Sequence, residues 1–394
     1  MNRSKLESNI WKYTVLLVAN KRIYAAILTA YYLTIPDVTA QTIGVILLIG
    51  NLAGFVFEIP SGYVSDKLGH KQAIVISRLL FVASTLFFLF ADSTNYLILG
   101  SVFLSLGLAF LSGTGSAFMH ETLSALNREN DYTKVMGKAS SIGFAVPIIF
   151  TVIVPFLVSI NYQAPFALAL VIDLVGLMVA LALTTPPVKP EQIEEVNATN
   201  FKQVVQVGYQ LGFFKYALFS SLGASVLFGI GIFRAPYQVL LEIPVIWYGV
   251  LFGLGRALAS LILAYSGQLK DYFGNIVLFY RFEIILYTAL ILLLSVTVNP
   301  WFVAGVFILI NGFQWGLTQV SRGFIMDIIK NSNFKATLLS TQSQINNILQ
   351  GVLSFAIGLT IEHTTYQMAF FGLGIFFLLA SLSMYLYIKK SLLK

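Results

Sequence analysis

The chain has 394 residues, 57% hydrophobic and 10% charged, with a mean hydropathy of +0.82 and a formal net charge of +7. Soluble domains carry about 25% charged residues, so a water-soluble fold of this length would lack polar surface, and lipid is the solvent that removes the need. The absence of cysteine excludes disulfides, thiolate metal sites and cysteine nucleophiles. His70, His120 and His363 stand too far apart for metal-ligand spacing, and no metal or other cofactor is expected.

The first residues, Met1 to Lys12, are basic but lack an apolar core followed by a small-residue cleavage site, and they read as a retained tail rather than a signal peptide. A spanning helix needs about 20 apolar residues. Twelve segments qualify: 13–35, 42–63, 72–91, 95–118, 136–159, 163–184, 212–233, 246–266, 276–297, 301–322, 336–360 and 366–388. The first is interrupted by Lys21 and Arg22, yet without its early part only a short run precedes Pro36, so both cations are expected inside the helix. In the fourth span, Ser112-Gly-Thr-Gly-Ser116-Ala117 permits close packing or a bend. It follows an apolar span rather than a strand, so it is not a phosphate loop. Pro147 and Pro155 are expected to kink the fifth span. The longest connection, 185–211, opens with three prolines in six residues and ends in Phe201 to Tyr209, a candidate interfacial amphipathic helix. It would separate an N-terminal six-helix bundle, 1–184, from a C-terminal one, 212–394.

Charge placement sets the orientation. With the N-terminus inside, the cytoplasmic tails and loops, counted to Lys215, hold 18 of the 24 lysines and arginines, and the external loops hold one, Arg234. The other five, Lys21, Arg22, Arg78, Arg256 and Arg281, fall within spans. Both termini are therefore expected in the cytoplasm of a multi-pass cell-membrane protein. The basic balance is accounted for by topology, so no nucleic-acid partner is expected.

The halves superimpose at an offset of 205 residues. Gly44, Val45, Gly50, Ser61, Gly62, Asp66 and Gly69 meet Gly249, Val250, Gly255, Ser266, Gly267, Asp271 and Gly274, seven identities over 26 gapless positions. Shared hydrophobicity would match leucines; these matches are mostly glycine, serine and aspartate. A parallel repeat of six-helix halves is an architecture in which a substrate site forms between the halves near mid-membrane.

Within the first copy, Gly62-Tyr-Val-Ser-Asp66-Lys67-Leu-Gly69-His70-Lys71 resembles the signature of the major facilitator superfamily between its second and third helices, with His70 where a stronger base is usual. The second copy, Gly267-Gln-Leu-Lys-Asp271-Tyr-Phe-Gly274, keeps the Gly–Asp–Gly frame and loses the bases that follow. Phe57-Glu58-Ile59-Pro60-Ser61-Gly62 and Phe334-Lys335-Ala336-Thr337-Leu338-Leu339-Ser340 are similar to a bacterial branch of the same family. The resemblance implies an all-α membrane fold of twelve helices in two pseudo-symmetric bundles. It also implies a cytoplasmic gate at Gly62, Asp66, Lys67, Gly69, Lys71, Gly267, Asp271 and Gly274. Gly62 should allow close helix approach, and Asp66 should accept backbone N–H bonds at the end of the eleventh helix. Two features depart from the family. Ala109 stands where proton-coupled members often carry an arginine, before Gly113-Thr-Gly115, and Gly143-Phe-Ala-Val-Pro147 keeps only a remnant of the exporter motif.

Ionisable groups in hydrocarbon cost about 2.5–3.5 kcal/mol or more unless paired or hydrated. Arg78 and Arg281 lie about two turns inside their spans, close enough to snorkel. Glu283 is expected to pair locally near Arg281, and Arg22 with Glu58, both in the inner half of the membrane; Asp173 has no evident partner. Glu58, Asp173 and Glu283 are the ion-pair or proton candidates. Arg256 lies 11 positions before Gly267, roughly 16 Å into the membrane, opposite Asn51 in the repeat, and is expected to serve an anionic or polar substrate site. Polar faces appear at Asn311, Gln314, Trp315 and Thr318 on the tenth span, and at Ser343, Asn346, Asn347 and Gln350 on the eleventh. The first span offers Asn20, Tyr24 and Tyr31. The family places its first, fourth, seventh and tenth helices around the cavity. Cavity candidates are thus Asn20, Arg22, Tyr24, Tyr31, Arg256, Asn311, Gln314, Trp315, Asn346 and Gln350.

A monomeric secondary transporter that moves a small solute by alternating access is the expected function, with export as one direction and a coupling proton as a candidate partner. A transporter-like membrane receptor or sensor is the alternative. No Gly-x-x-x-x-Gly-Lys-Ser/Thr loop is present for ATP, and no cluster of His, Asp or Glu in a span points to an enzyme.

Overall fold

The computed structural model describes residues 3–112, 114–187, 201–329, 332 and 335–392. Every regular element among them is helical, because in lipid a helix satisfies its backbone groups within one segment. Eleven helices are long and apolar enough to cross a membrane. With the broken first segment, this is the twelve-helix arrangement of the expected fold. The chain divides into two compact units, Met1–Asp37 with Ile49–Asn197, and Val38–Leu48 with Ala198–Lys394.

The first unit contains α1 (Arg3–Ala19), α2 (Leu28–Tyr32), the body of α3 (Ala40–Leu68), α4 (His70–Leu89), α5 (Thr94–Leu111), α6 (Thr114–Ala125), α7 (Tyr132–Leu157) and α8 (Ala164–Leu181). The first span is not the continuous helix that was expected. α1 stops at Ala19, Arg22 is extended (φ −76°, ψ 98°), and a 3-10 turn over Ile23–Ala26 leads into α2. The Arg22 guanidinium turns back to the freed Ala19 carbonyl at 2.7 Å, closing the helix end it interrupts. The fourth span is likewise split at Ser112, and Gly113 lies outside the described residues. Gly115 supplies the expected close approach, since a Cβ there would stand 2.4 Å from the Tyr13 hydroxyl. α7 remains one helix through Pro147 and Pro155.

The second unit contains the opening residues of α3, then α9 (Phe201–Gln210), α10 (Phe213–Ile232), α11 (Arg234–Leu240), α12 (Ile246–Ala264), α13 (Ser266–Phe273), α14 (Ile276–Leu293), α15 (Pro300–Gly316), α16 (Thr318–Ile328), α17 (Lys335–His363) and α18 (Tyr366–Leu392). α9 forms where the amphipathic pattern indicated, and Val204 joins Phe213, Ala217, Ile325, Ile329 and Leu338 in one buried cluster. Gly44 of α3 meets α17 closely: a Cβ there would lie 2.9 Å from both the Phe355 Cα and the Ser354 carbonyl oxygen.

The repeat is visible in the backbone. Gly69 (φ +97°) and Gly274 (φ +65°), equivalent at the 205-residue offset, both take positive φ between consecutive helices, a region L side chains rarely enter. Gly50 and Gly255 are also equivalent in environment. A Cβ on Gly50 would meet the Ser101 Oγ at 2.2 Å, and one on Gly255 the Asn311 Cβ at 2.8 Å. At both places a glycine lets a polar residue of the next-but-one span come into contact.

Candidate functional site

In each unit, charge collects where one spanning segment breaks. In the first unit Arg22 reaches Asp173 of α8 through both terminal nitrogens, at 2.8 and 3.0 Å. Thr85 of α4 donates its hydroxyl to the same carboxylate at 2.6 Å. The bidentate fork suits a carboxylate, and Asp173 is only 1% exposed. This corrects the expected Arg22–Glu58 pair: Glu58 instead accepts from the Ser112 hydroxyl at 2.9 Å. Equal depth along two helices does not decide which helix faces which.

Arg78 does not snorkel. It is 0% exposed, and its Nη2 donates to the Leu16 carbonyl at 3.3 Å near the end of α1. Arg22 and Arg78 lie over the same Phe81 ring, 4.5 and 5.2 Å from its centroid. Gly176 makes room for them, since a Cβ there would sit 3.2 Å from the Arg78 Nη1. Tyr24 and Tyr31, proposed from sequence as cavity residues, are fully buried beside Phe88 and Phe166. The Tyr31 hydroxyl donates to the Phe88 carbonyl at 2.7 Å. Asn20 is half-buried at the break, and its Oδ1 accepts no hydrogen bond from the described residues.

In the second unit the corresponding break separates α10 from α11, with Phe233 between them. Arg234 follows it and is 5% exposed, inside the apolar segment Phe213–Leu240 rather than in an external loop as expected. The apolar run continues past Phe233 through Ala-Pro-Tyr-Gln-Val-Leu, and that continuation was the signal that placed Arg234 in the helix. Its Nη1 donates to the Gln238 Oε1 at 2.9 Å. Arg234 and Arg256 lie over one ring, Phe252, at 5.1 and 5.0 Å, and Arg256 also stacks on Trp315 at 4.3 Å. A narrow crevice beside them is lined by Arg234, Gln238, Phe252, Phe307 and Asn311, among others. The sequence pattern thus found Arg256, Asn311 and Trp315, which meet here, but not Arg234, Gln238 or Phe252. Gln314 is also near this break, its Oε1 4.0 Å from a Cβ built on Gly231. Asn346 lies on α17 against α10, where its carbonyl is 3.5 Å from the Ser225 hydroxyl; Gln350 is half-buried one turn on.

Glu283 does not pair with Arg281. Two residues apart on a helix point to opposite faces. Glu283 is buried and accepts from the Tyr287 hydroxyl at 3.2 Å, whereas Arg281 is exposed.

At the gate motif, a Cβ on Gly62 or on Gly267 would meet nothing within 4 Å among the described residues of its own unit. The Asp66 side chain and Phe334 lie outside the described residues. His70 Nε2 stands 3.2 Å from Glu121 of α6, and its Nδ1 is 3.0 Å from the Ser65 hydroxyl, which is itself 3.0 Å from that of Thr114. In the second unit Lys270 pairs with Asp327 of α16 at 2.7 Å. Each unit therefore ties its motif helix to the end of its fourth span by a polar link. Lys67 and Lys71 are solvent-facing or half-exposed, and Lys67 lies 5.9 Å from the Tyr63 ring centroid; Asp271 is exposed.

Comparison with known proteins finds membrane transporters of the same helical fold. An uncharacterized MFS-type transporter of Methanocaldococcus jannaschii is 23% identical over 371 residues, 89% of this chain and 91% of that protein. An uncharacterized MFS-type transporter of Bacillus subtilis, YxaM, is 30% identical over 143 residues, 36% of this chain and 35% of that protein. The inner membrane transport protein YajR of Escherichia coli is 32% identical over 128 residues, 31% of this chain and 26% of that protein. The chain therefore matches about a third or less of those last two. Among solved structures, the nucleoside transporter NupG has a TM-score of 0.72 at 14% identity, covering 98% of this chain and 99% of its own. A D-xylose-proton symporter has a TM-score of 0.68 at 12% identity, covering 97% of each. The profile of the Major Facilitator Superfamily matches residues 13–345, and the chain belongs to that family of membrane transporters.

Proposed function

We propose that the protein is a secondary transporter that moves a small solute by alternating access, with both termini in the cytoplasm. The observation that carries this reading is the family match over residues 13–345, joined to a fold likeness along nearly the whole chain to transporters of nucleosides and of D-xylose. The buried charges support it. Structural helices in lipid avoid ionisable groups, and such groups mark substrate or ion pathways by default; here Arg22 and Arg234 stand at helix breaks. The orientation rests on the positive-inside bias, which strengthens once Arg234 is assigned to a helix, since the external loops then hold none of the 24 cations. For a coupling proton the candidate is Glu283, a buried carboxylate whose hydrogen-bond donor is a tyrosine and which makes no ion pair among the described residues.

Purified protein in proteoliposomes, challenged with labelled anionic, neutral and cationic solutes, tests this reading. Saturable flux with a counterflow phase supports a carrier, and everted vesicles give its direction. Solute binding without flux of any class would make the chain a transporter-like receptor instead.

A further inference from the structure

The path of the coupling proton can be taken further, on the reading that the protein is a transporter with Glu283 as its proton site. The repeat bears on that site first. Carried on at the 205-residue offset, α4 (His70–Leu89) meets residues 275–294, the extent of α14 (Ile276–Leu293) to within one residue at each end, and Arg78 meets Glu283. Both are buried, at 0% and 7% exposure. Each unit thus buries an ionisable group at the same place on its third span: a permanent cation in the first, a carboxyl group that takes and gives a proton in the second. Every other Asp, Glu, Lys and Arg of the helices packed around Glu283, Arg281 and Lys215 included, is half-exposed or exposed. A carboxylate buried with one tyrosine hydroxyl as its donor is costly while charged. A proton removes that cost, and it needs a way in.

A chain of hydroxyls leads toward it. The Oγ atoms of Ser321 on α16 and Ser220 on α10 are 3.1 Å apart. The Ser220 Oγ is 3.0 Å from the Tyr280 hydroxyl of α14, which donates to the Tyr216 carbonyl at 3.1 Å. Stacking on Phe219, with centroids 3.9 Å apart, holds the Tyr280 ring in this place. Both serines are half-exposed and Tyr280 is 0% exposed, so the chain runs from the surface of the unit into its core. Glu283 follows Tyr280 by three residues, on the same face of α14. Ser220, Glu283 and Ser321 each lie seven residues from one end of their helix, at Phe213, Ile276 and Ile328, a depth of about 10 Å at 1.5 Å per residue. Those ends are on the side that the proposed orientation places in the cytoplasm. Serine and tyrosine hydroxyls both donate and accept, so each link in this chain has a proton to pass on and an oxygen to receive one.

We propose that the hydroxyls of Ser321, Ser220 and Tyr280 relay protons between water at the surface of this unit and the carboxylate of Glu283. On loading, a hydronium ion gives a proton to the Ser321 oxygen and leaves as water. Ser321 passes its own hydroxyl proton to Ser220, Ser220 passes its own to Tyr280, and Tyr280 passes its own to Glu283, whose carboxylate becomes a carboxylic acid. For the last step the Tyr280 O–H turns from the Tyr216 carbonyl to the carboxyl group, which swings toward it from one helical turn away. Each hydroxyl gains one proton and loses one, so the chain is unchanged once its O–H bonds turn back. Release runs the same steps in reverse.

The test is infrared spectroscopy of the purified full-length protein in detergent. The carboxylic-acid C=O band of Glu283 is the one that Glu283→Gln removes, and its shift on transfer to heavy water reads how fast the proton exchanges. Ser220→Ala and Tyr280→Phe should each slow that shift by about tenfold or more, a low figure for removing a positioned proton-transfer group. Ser220→Thr, which restores a hydroxyl, should bring the rate back near that of the parent. Should one of the slowing variants fail to fold, the other carries the test. Exchange at the parent rate in a folded Ser220→Ala or Tyr280→Phe protein, or equal slowing by Ser220→Thr and Ser220→Ala, would overturn the relay and leave Glu283 as the proton site. If Glu283→Gln removes no band, Glu283 holds no proton, and the relay falls with it. Slowed exchange in the variants of a protein that moves no solute in proteoliposomes would overturn the transporter reading and leave the relay standing.

Discussion

Asp173 holds both terminal nitrogens of Arg22, at 2.8 and 3.0 Å, across 151 residues of sequence. The pair fixes the place where α1 gives way to the 3-10 turn, because the same guanidinium caps the last carbonyl of α1. It also shares the Phe81 ring with a second buried cation, Arg78, 5.2 Å from its centroid.

Asp173→Asn should therefore be severely destabilising. It keeps the shape and the Thr85 contact but leaves Arg22 and Arg78 without their carboxylate, and breaking a buried pair typically costs about 3–5 kcal/mol. Removing both partners, as in Arg22→Met with Asp173→Leu, should cost much less than the single change, since no buried charge of that pair is then left over. Thermal unfolding in detergent reads both. Equal losses for the single and double variants would mean that packing, not charge, holds the break.

Two glycines of the repeat should respond in opposite directions. Gly44→Ala would drive a methyl group to 2.9 Å from the backbone of α17 at Ser354 and Phe355. Backbone cannot step aside as a side-chain tip can, and overpacking of this kind costs about 1–3 kcal/mol. Gly62→Ala meets nothing within 4 Å among the described residues of its own unit and removes a flexible residue from the interior of α3, so it should stabilise this form by about 0.5–1 kcal/mol. Unfolding midpoints compare the two. If Gly62→Ala leaves the midpoint unchanged or higher yet abolishes flux, the signature glycine is needed in another conformation of the cycle.

Much of this architecture was legible in the chain. Eleven spans follow from hydropathy, and the equivalence of Gly69 with Gly274 and of Gly50 with Gly255 follows from a gapless repeat, because backbone conformation and close helix crossings leave no alternative to glycine. The charged partners were not legible. Arg22 could be placed at a depth but not in azimuth, so depth alone pointed to Glu58, and only the packing of α8 and α4 around the break selects Asp173. Arg234 was lost for a different reason: at a helix end one residue decides between loop and core, and the apolar run after Phe233 outweighs the single charge. The Trp315 platform shows the converse, since helical spacing placed Asn311 and Trp315 on related faces, and both border the cluster that holds Arg256.

The Lys270–Asp327 link should contribute little to stability despite its length of 2.7 Å. Its side chains are 30% and 60% exposed, and exposed pairs are worth about 0–1 kcal/mol. Asp327→Asn should leave the unfolding midpoint nearly unchanged at moderate salt. Its effect, if the link orders α13 against α16 during transport, should appear in turnover and fade as ionic strength rises. A loss of several degrees that is insensitive to salt would show that the pair is part of the fold's support.

Glu283 offers the sharpest test of energy coupling. It is buried in α14, 7% exposed, and among the described residues holds a single side-chain hydrogen bond, from Tyr287, one turn along the same helix. Asp173 is engaged by Arg22 and Thr85, and taking a proton there would break a bidentate pair. Glu283 can accept one at the loss of a single hydroxyl contact, worth about 0.5–1.5 kcal/mol in a neutral setting. Glu283→Gln keeps size and hydrogen bonding while making the site permanently uncharged. If Glu283 carries the coupling proton, the variant should exchange labelled solute across a proteoliposome membrane at a rate near that of the parent. It should, however, lose accumulation driven by an imposed pH gradient, because exchange needs only the loaded carrier to reorient, whereas accumulation needs the proton to move with it or against it. Loss of both activities with a normal unfolding profile would assign Glu283 to solute binding or to the conformational step. Retention of both would leave it a structural partner of Tyr287 and send the search for the coupling group to Glu58, whose hydrogen-bond donor is Ser112.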